Sequence, residues 1–146
     1  MRLTKLTTEQ IARYWEYIRE CLDAALPPYV RSSTESMTRI RQQLLLGSLE
    51  CWIGSDDVDS LKLYGMMTTQ IISDPISGTE NLLIYSVTIT NEHPHNMWEE
   101  AAIKLSQYAA AKNCYSIIAY SSNEHMIRIA ERLGADSSYK LLTFKL

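Results

Sequence analysis

Leu82-Leu83-Ile84-Tyr85-Ser86-Val87-Thr88-Ile89-Thr90, then Asn91-Glu92-His93-Pro94-His95, then Asn96 through Lys112, is the stretch whose reading decides the fold. The first segment is dense in β-branched and aromatic residues that suit a pleated, buried surface, so it reads as a strand. The second is a short polar loop. Asn96 reads as a helix N-cap, with Glu99 three residues on as its capping-box partner. From there Trp98, Ala101, Ala102, Leu105 and Ala109 recur at helical spacing, and Asn113 suits the left-handed stop. Tyr115 to Tyr120 follows at once as a second buried strand. Strand, loop, helix, strand is a βαβ unit, which predicts two parallel neighbours.

Working outward, 146 residues suggest one domain, 1–146, with a sizeable core. A formal charge of −3 argues against a nucleic-acid or anionic-membrane surface. No apolar run reaches bilayer length, and Met1 to Lys5 lacks the apolar core of a secretory signal. These features predict a cytoplasmic protein. Cys21, Cys51 and Cys114 are odd in number and widely spaced, which reads as three reduced, buried thiols rather than a disulfide framework.

In chain order, Arg2–Leu6 reads as a strand, and Thr7 or Thr8 caps a helix to about Ala25 that faces inward through Ile11, Trp15, Ile18 and Leu22. Pro27-Pro28 ends it. A helix from Thr34 to Leu46 points Met37, Ile40 and Leu44 inward and stops at Gly47. Leu49–Ile53 is a strand closed by a turn over Gly54–Ser60, and Leu61–Ile72 is the next strand, broken near Gly65. Asp74-Pro75-Ile76-Ser77-Gly78 is a turn by composition. Asn123 opens a last helix to Leu133, Gly134 stops it, and Tyr139–Leu146 reads as a closing strand. The order is β-α-α-β-β-β-α-β-α-β: an α/β fold with a mixed, mostly antiparallel sheet flanked by helices.

This order resembles the GNAT family of N-acetyltransferases over essentially the whole chain. The most specific local likeness is Asn123-Glu124-His125-Met126-Ile127-Arg128-Ile129-Ala130-Glu131-Arg132-Leu133-Gly134-Ala135, which is similar to the family's N-x-x-A-I-x-L-Y-x-K-L-G-F stretch. Asn123, Ile127, Leu133 and Gly134 match it outright. Gly65 fits the family's glycine in the third strand, and Val87-Thr88-Ile89 fits the strand whose backbone holds the acyl-pantetheine arm. The resemblance implies acetyl-CoA as cofactor if the protein is active, lying between the 82–90 and 115–120 strands. It implies Val87, Ile89, His95, Asn96, Met97, Trp98 and Asn123 as the candidate cofactor-binding residues.

The departures from the family pattern bear on function. The family's pyrophosphate loop resembles R/Q-x-x-G-x-G/A, where free backbone N–H groups and a positive helix end meet the anion. Here Pro94, Met97 and Glu99 stand at the Arg/Gln and two glycine positions, and Glu99-Glu100 put two carboxylates in the first helical turn. Ala130 stands where the family has its tyrosine general acid. Tyr85 and Tyr139 are the substitutes considered, and no catalytic residue is designated. His93 and His95 flank a proline with no third or fourth ligand at metal spacing, so no metal is expected. Glu80 and Glu92 as bases, and Arg31, Arg39 and Arg41 as an acceptor-side cluster, read equally as a solvated surface. Ser121 and Ser122 lack a His–Asp context for nucleophilic chemistry.

Two functions follow. One is a GNAT-fold protein with an eroded acetyl-CoA site, serving as a structural or binding module in a protein assembly or homo-oligomer. Short chains of this type resemble proteins encoded among the virion genes of tailed phages, which implies assembly into a virion. The other is an acetyl-CoA-dependent N-acetyltransferase acting on a primary amine.

Overall fold

The computed structural model describes residues 1–56, 62–90 and 92–146. Five strands, β1 (Arg2–Lys5), β2 (Glu50–Ser55), β3 (Leu63–Ser73), β4 (Glu80–Ile89) and β5 (Ser116–Ala119), form one sheet in that spatial order. β1 to β4 pair antiparallel, and β5 joins β4 in parallel through Asn81–Ile84 opposite Ser116–Ala119. The parallel pair is the one that the 82–120 stretch predicts. Helices α1 (Thr8–Arg13), α2 (Trp15–Ala24), α3 (Thr34–Leu46), α4 (Met97–Ala111) and α5 (Glu124–Arg132) complete the chain.

Two hydrophobic layers sandwich the sheet. Ile11, Ile18, Leu22, Met37, Ile40 and Leu44 pack from α1–α3 onto Cys51, Ile53 and Met66. On the opposite face, Ala101, Leu105 and Ala109 of α4 pack onto Leu3, Trp52, Met67 and Leu82. The stripes read from the sequence are therefore the ones buried. A polar relay pins α4 within its layer. Trp52 Nε1 donates to Thr69 Oγ1 at 2.8 Å, Thr69 donates to Glu50 Oε2 at 3.1 Å, and the Tyr108 hydroxyl donates to Glu50 Oε1.

Local signals hold at most element ends. Thr7 closes a capping box with Gln10, Ser33 caps α3, and Asn123 Oδ1 accepts from Met126 N at 3.2 Å to cap α5. Gly47 and Gly134 take the left-handed conformation that stops their helices, and Asn113 does so after α4. The Asp74–Gly78 turn forms as composition demands, with Ser77 Oγ donating to Asp74 Oδ2 at 2.7 Å. Cys21 and Cys51 are buried and unpaired, and Cys114 is half-buried.

Several expectations need correction. The helix expected from 7 to 25 is two helices that meet at Tyr14, whose ψ of 18 departs from helical geometry. No Gly or Pro marks the spot, so the sequence holds no signal for it. β2 runs on through Gly54 and Ser55, where a turn was expected; 57–60 and Leu61 lie outside the described residues. β3 is not broken at Gly65. A Cβ there would stand 2.7 Å from the Thr88 carbonyl oxygen, so glycine serves close strand approach rather than a break. The largest difference is at the end of the chain. Tyr139–Leu146 forms no strand, and every residue from Glu131 to Leu146 is exposed.

Candidate functional site

The feature that could receive a ligand is an opening between β4 and β5. In the β3–β4 ladder Thr68 pairs with Ser86 and Thr69 with Ile84, which leaves Tyr85 as the extra residue of a β-bulge. The bulge changes the phase of β4. Leu82 and Ile84 face the α4 layer before it, Val87 faces that layer after it, and Tyr85 packs on the opposite layer. The parallel β4–β5 ladder stops at Ile84 opposite Ala119, directly beside the bulge. Among the described residues, Tyr85–Ile89 therefore continues with no ladder partner on the β5 side, which leaves its peptide groups on that edge available.

Three tyrosines gather at this opening. The Tyr29 ring meets the Tyr120 ring edge-on, with centroids 5.5 Å apart. Burial pushes the Tyr85 phenol up in pKa, with Tyr29 adding to the shift, and burial likewise raises Tyr29, with Tyr120 adding. The Tyr85 and Tyr29 phenols thus hold their protons at neutral pH and suit hydrogen-bond or proton donation, not proton abstraction. Sequence reasoning considered Tyr85 but missed Tyr29 and Tyr120. No local pattern links a loop after α2 with the end of β5; only the tertiary fold does.

At the end of β4 the chain turns into α4. Asn96 occupies the N-cap position, but its side chain does not cap the helix: Nδ2 donates to Glu100 Oε1 at 2.8 Å. The expected Asn96–Glu99 capping pair is absent, since an N-cap ψ of 11 leaves the Asn96 oxygen badly aimed at the first-turn amides. Glu100 Oε2 also lies 3.4 Å from the Met1 amino nitrogen, so much of its charge is already compensated. Met97 is buried beneath the first turn, because an apolar side chain gains more from the sheet face than from solvent. It leaves the outside of the turn clear. Glu99 stays exposed there.

Val87, Ile89, Met97 and Trp98, four of the candidate cofactor-binding residues, line one small apolar cavity with Leu3, Gly65 and Ala101. Its volume of about 30 Å³ is that of a single water, so it holds no cofactor as it stands. His95 and Asn96 are exposed on the loop outside it. Asn123 is apart from the cavity, engaged in capping α5. His93 contacts the Trp98 ring edge-on at 6.3 Å between centroids. Among the described residues no group of three His, Cys, Asp or Glu side chains is placed to hold a metal, and no helix is long and apolar enough to cross a membrane.

Solved structures of acetyltransferases share this architecture. A predicted acetyltransferase from Clostridium acetobutylicum, solved with acetyl-CoA, superposes with a TM-score of 0.71 at 12% identity, over 99% of this chain and 95% of the other. An aminoglycoside acetyltransferase from an uncultured soil metagenomic sample, in complex with trehalose, gives 0.72 at 11% identity, over 99% and 94%. An acetyltransferase from Trypanosoma brucei gives 0.67 at 16% identity, over 99% of each chain. No protein-family model and no curated protein sequence matches the chain. The fold is the acetyltransferase fold of the GNAT type. At these identities the likeness establishes the fold and leaves the chemistry to the site itself.

Proposed function

We propose that this chain is a GNAT-fold protein with an eroded acetyl-CoA site, working as a binding or structural module rather than an efficient acetyltransferase. The two ends of the cofactor would meet different ground. The β4–β5 opening, with unpaired peptide groups from Tyr85 to Ile89, fits an extended acyl-pantetheine arm. The diphosphate end does not fit: Pro94 offers no N–H, and the exposed Glu99 places a carboxylate at the first turn of α4. That first turn is the observation that carries the reading. Ala130 on exposed α5 supplies no proton where the family resemblance implies a general acid. Incorporation into an assembly, a phage particle being the case the resemblance suggests, suits such a module.

A second reading, an acetyl-CoA-dependent N-acetyltransferase acting on a primary amine, is favoured by the bulge at Tyr85 and by the Tyr29 and Tyr120 rings beside it. In that reading Tyr85 holds the proton that the absent family tyrosine would carry.

Titration calorimetry with acetyl-CoA, paired with thermal shift, separates the two. A native-state binder raises the apparent Tm by mass action. The module reading expects no saturable binding below millimolar cofactor and no shift. Micromolar binding overturns it, and thiol release with a panel of primary amines then tests turnover.

A further inference from the structure

The opening between β4 and β5 has aromatic walls as well as an open edge. Tyr85, the extra residue of the bulge, is half-buried there. Tyr29 comes from the loop between α2 and α3, and Tyr120 follows directly on β5. Both stand half in solvent, 49% and 44% exposed. Their rings lie at 82° with centroids 5.5 Å apart, so they make a corner rather than a stack. The Tyr29 phenol feels Tyr120 and the Tyr85 phenol feels Tyr29, which keeps the three within electrostatic reach of one another.

An aromatic face carries negative potential and attracts a weakly hydrated cation within about 6 Å of the ring centroid. The chain uses this attraction itself. Lys5 and Lys112 stand 5.4 and 5.7 Å from the Tyr108 centroid, and Arg41 stands 5.4 Å from that of Trp15. At Tyr29 and Tyr120 the two rings meet each other instead. A primary ammonium has three N–H donors to satisfy, which a corner of ring faces does not do. A trimethylammonium group has none, and ring faces suffice for it. Charge agrees. Beside the loop that carries Tyr29, a groove of about 390 Å³ is lined by Glu16, Glu20 and Asp23 with Arg19, three carboxylates to one guanidinium. Asp23 Oδ1 accepts from Ser32 Oγ at 3.0 Å and so ties that loop to the end of α2. The field of such a groove favours a net cation and opposes an ammonium that carries its own phosphate.

We propose that Tyr29, Tyr85 and Tyr120 form an aromatic cage that binds the quaternary ammonium group of a small, net-cationic molecule. This names the ligand class of the binding module proposed above and rests on that reading. A quaternary nitrogen has no lone pair, so the ligand is held and not acylated, as suits a chain without the phosphate cradle.

Titration calorimetry of the full chain with choline, in the absence of acetyl-CoA, tests it. Saturable binding is expected. The neutral isostere of choline, with a tert-butyl group in place of trimethylammonium, is expected to bind roughly tenfold more weakly. Tyr29→Leu and Tyr120→Leu, both at exposed positions, are each expected to weaken choline binding about tenfold with circular dichroism unchanged. Tyr29→Phe keeps the ring face and is expected to stay within about twofold of the wild type. Phosphocholine is expected to bind several-fold more weakly than choline. Absence of saturable choline binding, equal binding of the isostere, or Leu variants that bind as the wild type does each overturn the proposal. So does phosphocholine binding as tightly as choline. These outcomes are read on choline alone, whereas the module reading stands or falls on acetyl-CoA, so the two failures are distinct.

Discussion

Leu82 and Leu142 are the same residue in two different fates. Leu82 lies in β4 and is wholly buried between the sheet and α4. Leu142 belongs to a segment with comparable alternation and stands in solvent. The difference runs through the whole molecule. From β1 to β4 each strand has neighbours and both faces of the sheet are covered by helices. From β5 onward the sheet has an open edge, α5 buries only Ile129, and the tail buries nothing. Strand propensity alone does not bury a strand; a waiting edge and a connection that reaches it are also required.

The comparison can be broken most sharply by truncating the two leucines. Leu82→Ala is expected to lose about 2–5 kcal/mol of unfolding free energy in denaturant titration. Leu142→Ala is expected to change it by less than about 0.5 kcal/mol in the same titration. A large loss from Leu142→Ala under those conditions would mean that the tail packs on its own body.

Gly65 sharpens the account of the packed end. Gly65→Ala drives a Cβ toward the Thr88 carbonyl, and overpacking of this kind costs about 1–3 kcal/mol. A stable, unperturbed Ala variant in thermal melts would show that β3 and β4 can separate there without penalty. Cap removal probes both ends with one chemistry. Thr7→Ala and Asn123→Ala each remove a cap of about 1 kcal/mol. The first is expected to lower the global Tm, because α1 belongs to the core, whereas the second is expected to speed amide exchange only within α5.

The smallest expected effect is on alkaline stability. Burial pushes the Cys51 thiol up to about 12, with Cys21 adding to the shift. The folded state keeps this proton after the unfolded chain, with an ordinary thiol pKa of about 8.5, has lost it. Stability from this group is thus complete below that value and falls by about 1.4 kcal/mol per pH unit between there and about 12. Cys51→Ser removes the titration, so its stability should fall less steeply over this window than that of the wild type. Equal slopes would place the alkaline sensitivity elsewhere, with Tyr17, itself raised to about 12 by burial, as the next group to replace.

Much of the fold was legible in local chemistry. The βαβ stretch from Leu82 to Tyr120, the stripes of α1–α3, the caps at Thr7 and Asn123 and the stops at Gly47, Asn113 and Gly134 all act within a few residues, where the sequence states its own geometry. The candidate site was legible in part. Val87, Ile89, Met97 and Trp98 meet around one cavity because strand end and helix start are consecutive in the chain. Asn123 does not join them, and the inward turn of Met97 could not be read from its spacing alone.

By itself, the sequence determined most of the element types, the parallel pair and the identities Pro94, Met97, Glu99 and Ala130, because each depends on residue identity at a position. The tertiary structure decided the bulge at Tyr85, the opening beside it, the meeting of Tyr29, Tyr85 and Tyr120, and the fate of the last strand. These depend on which distant segments reach one another, and burial free energy is settled by that reach and not by the composition of any segment alone.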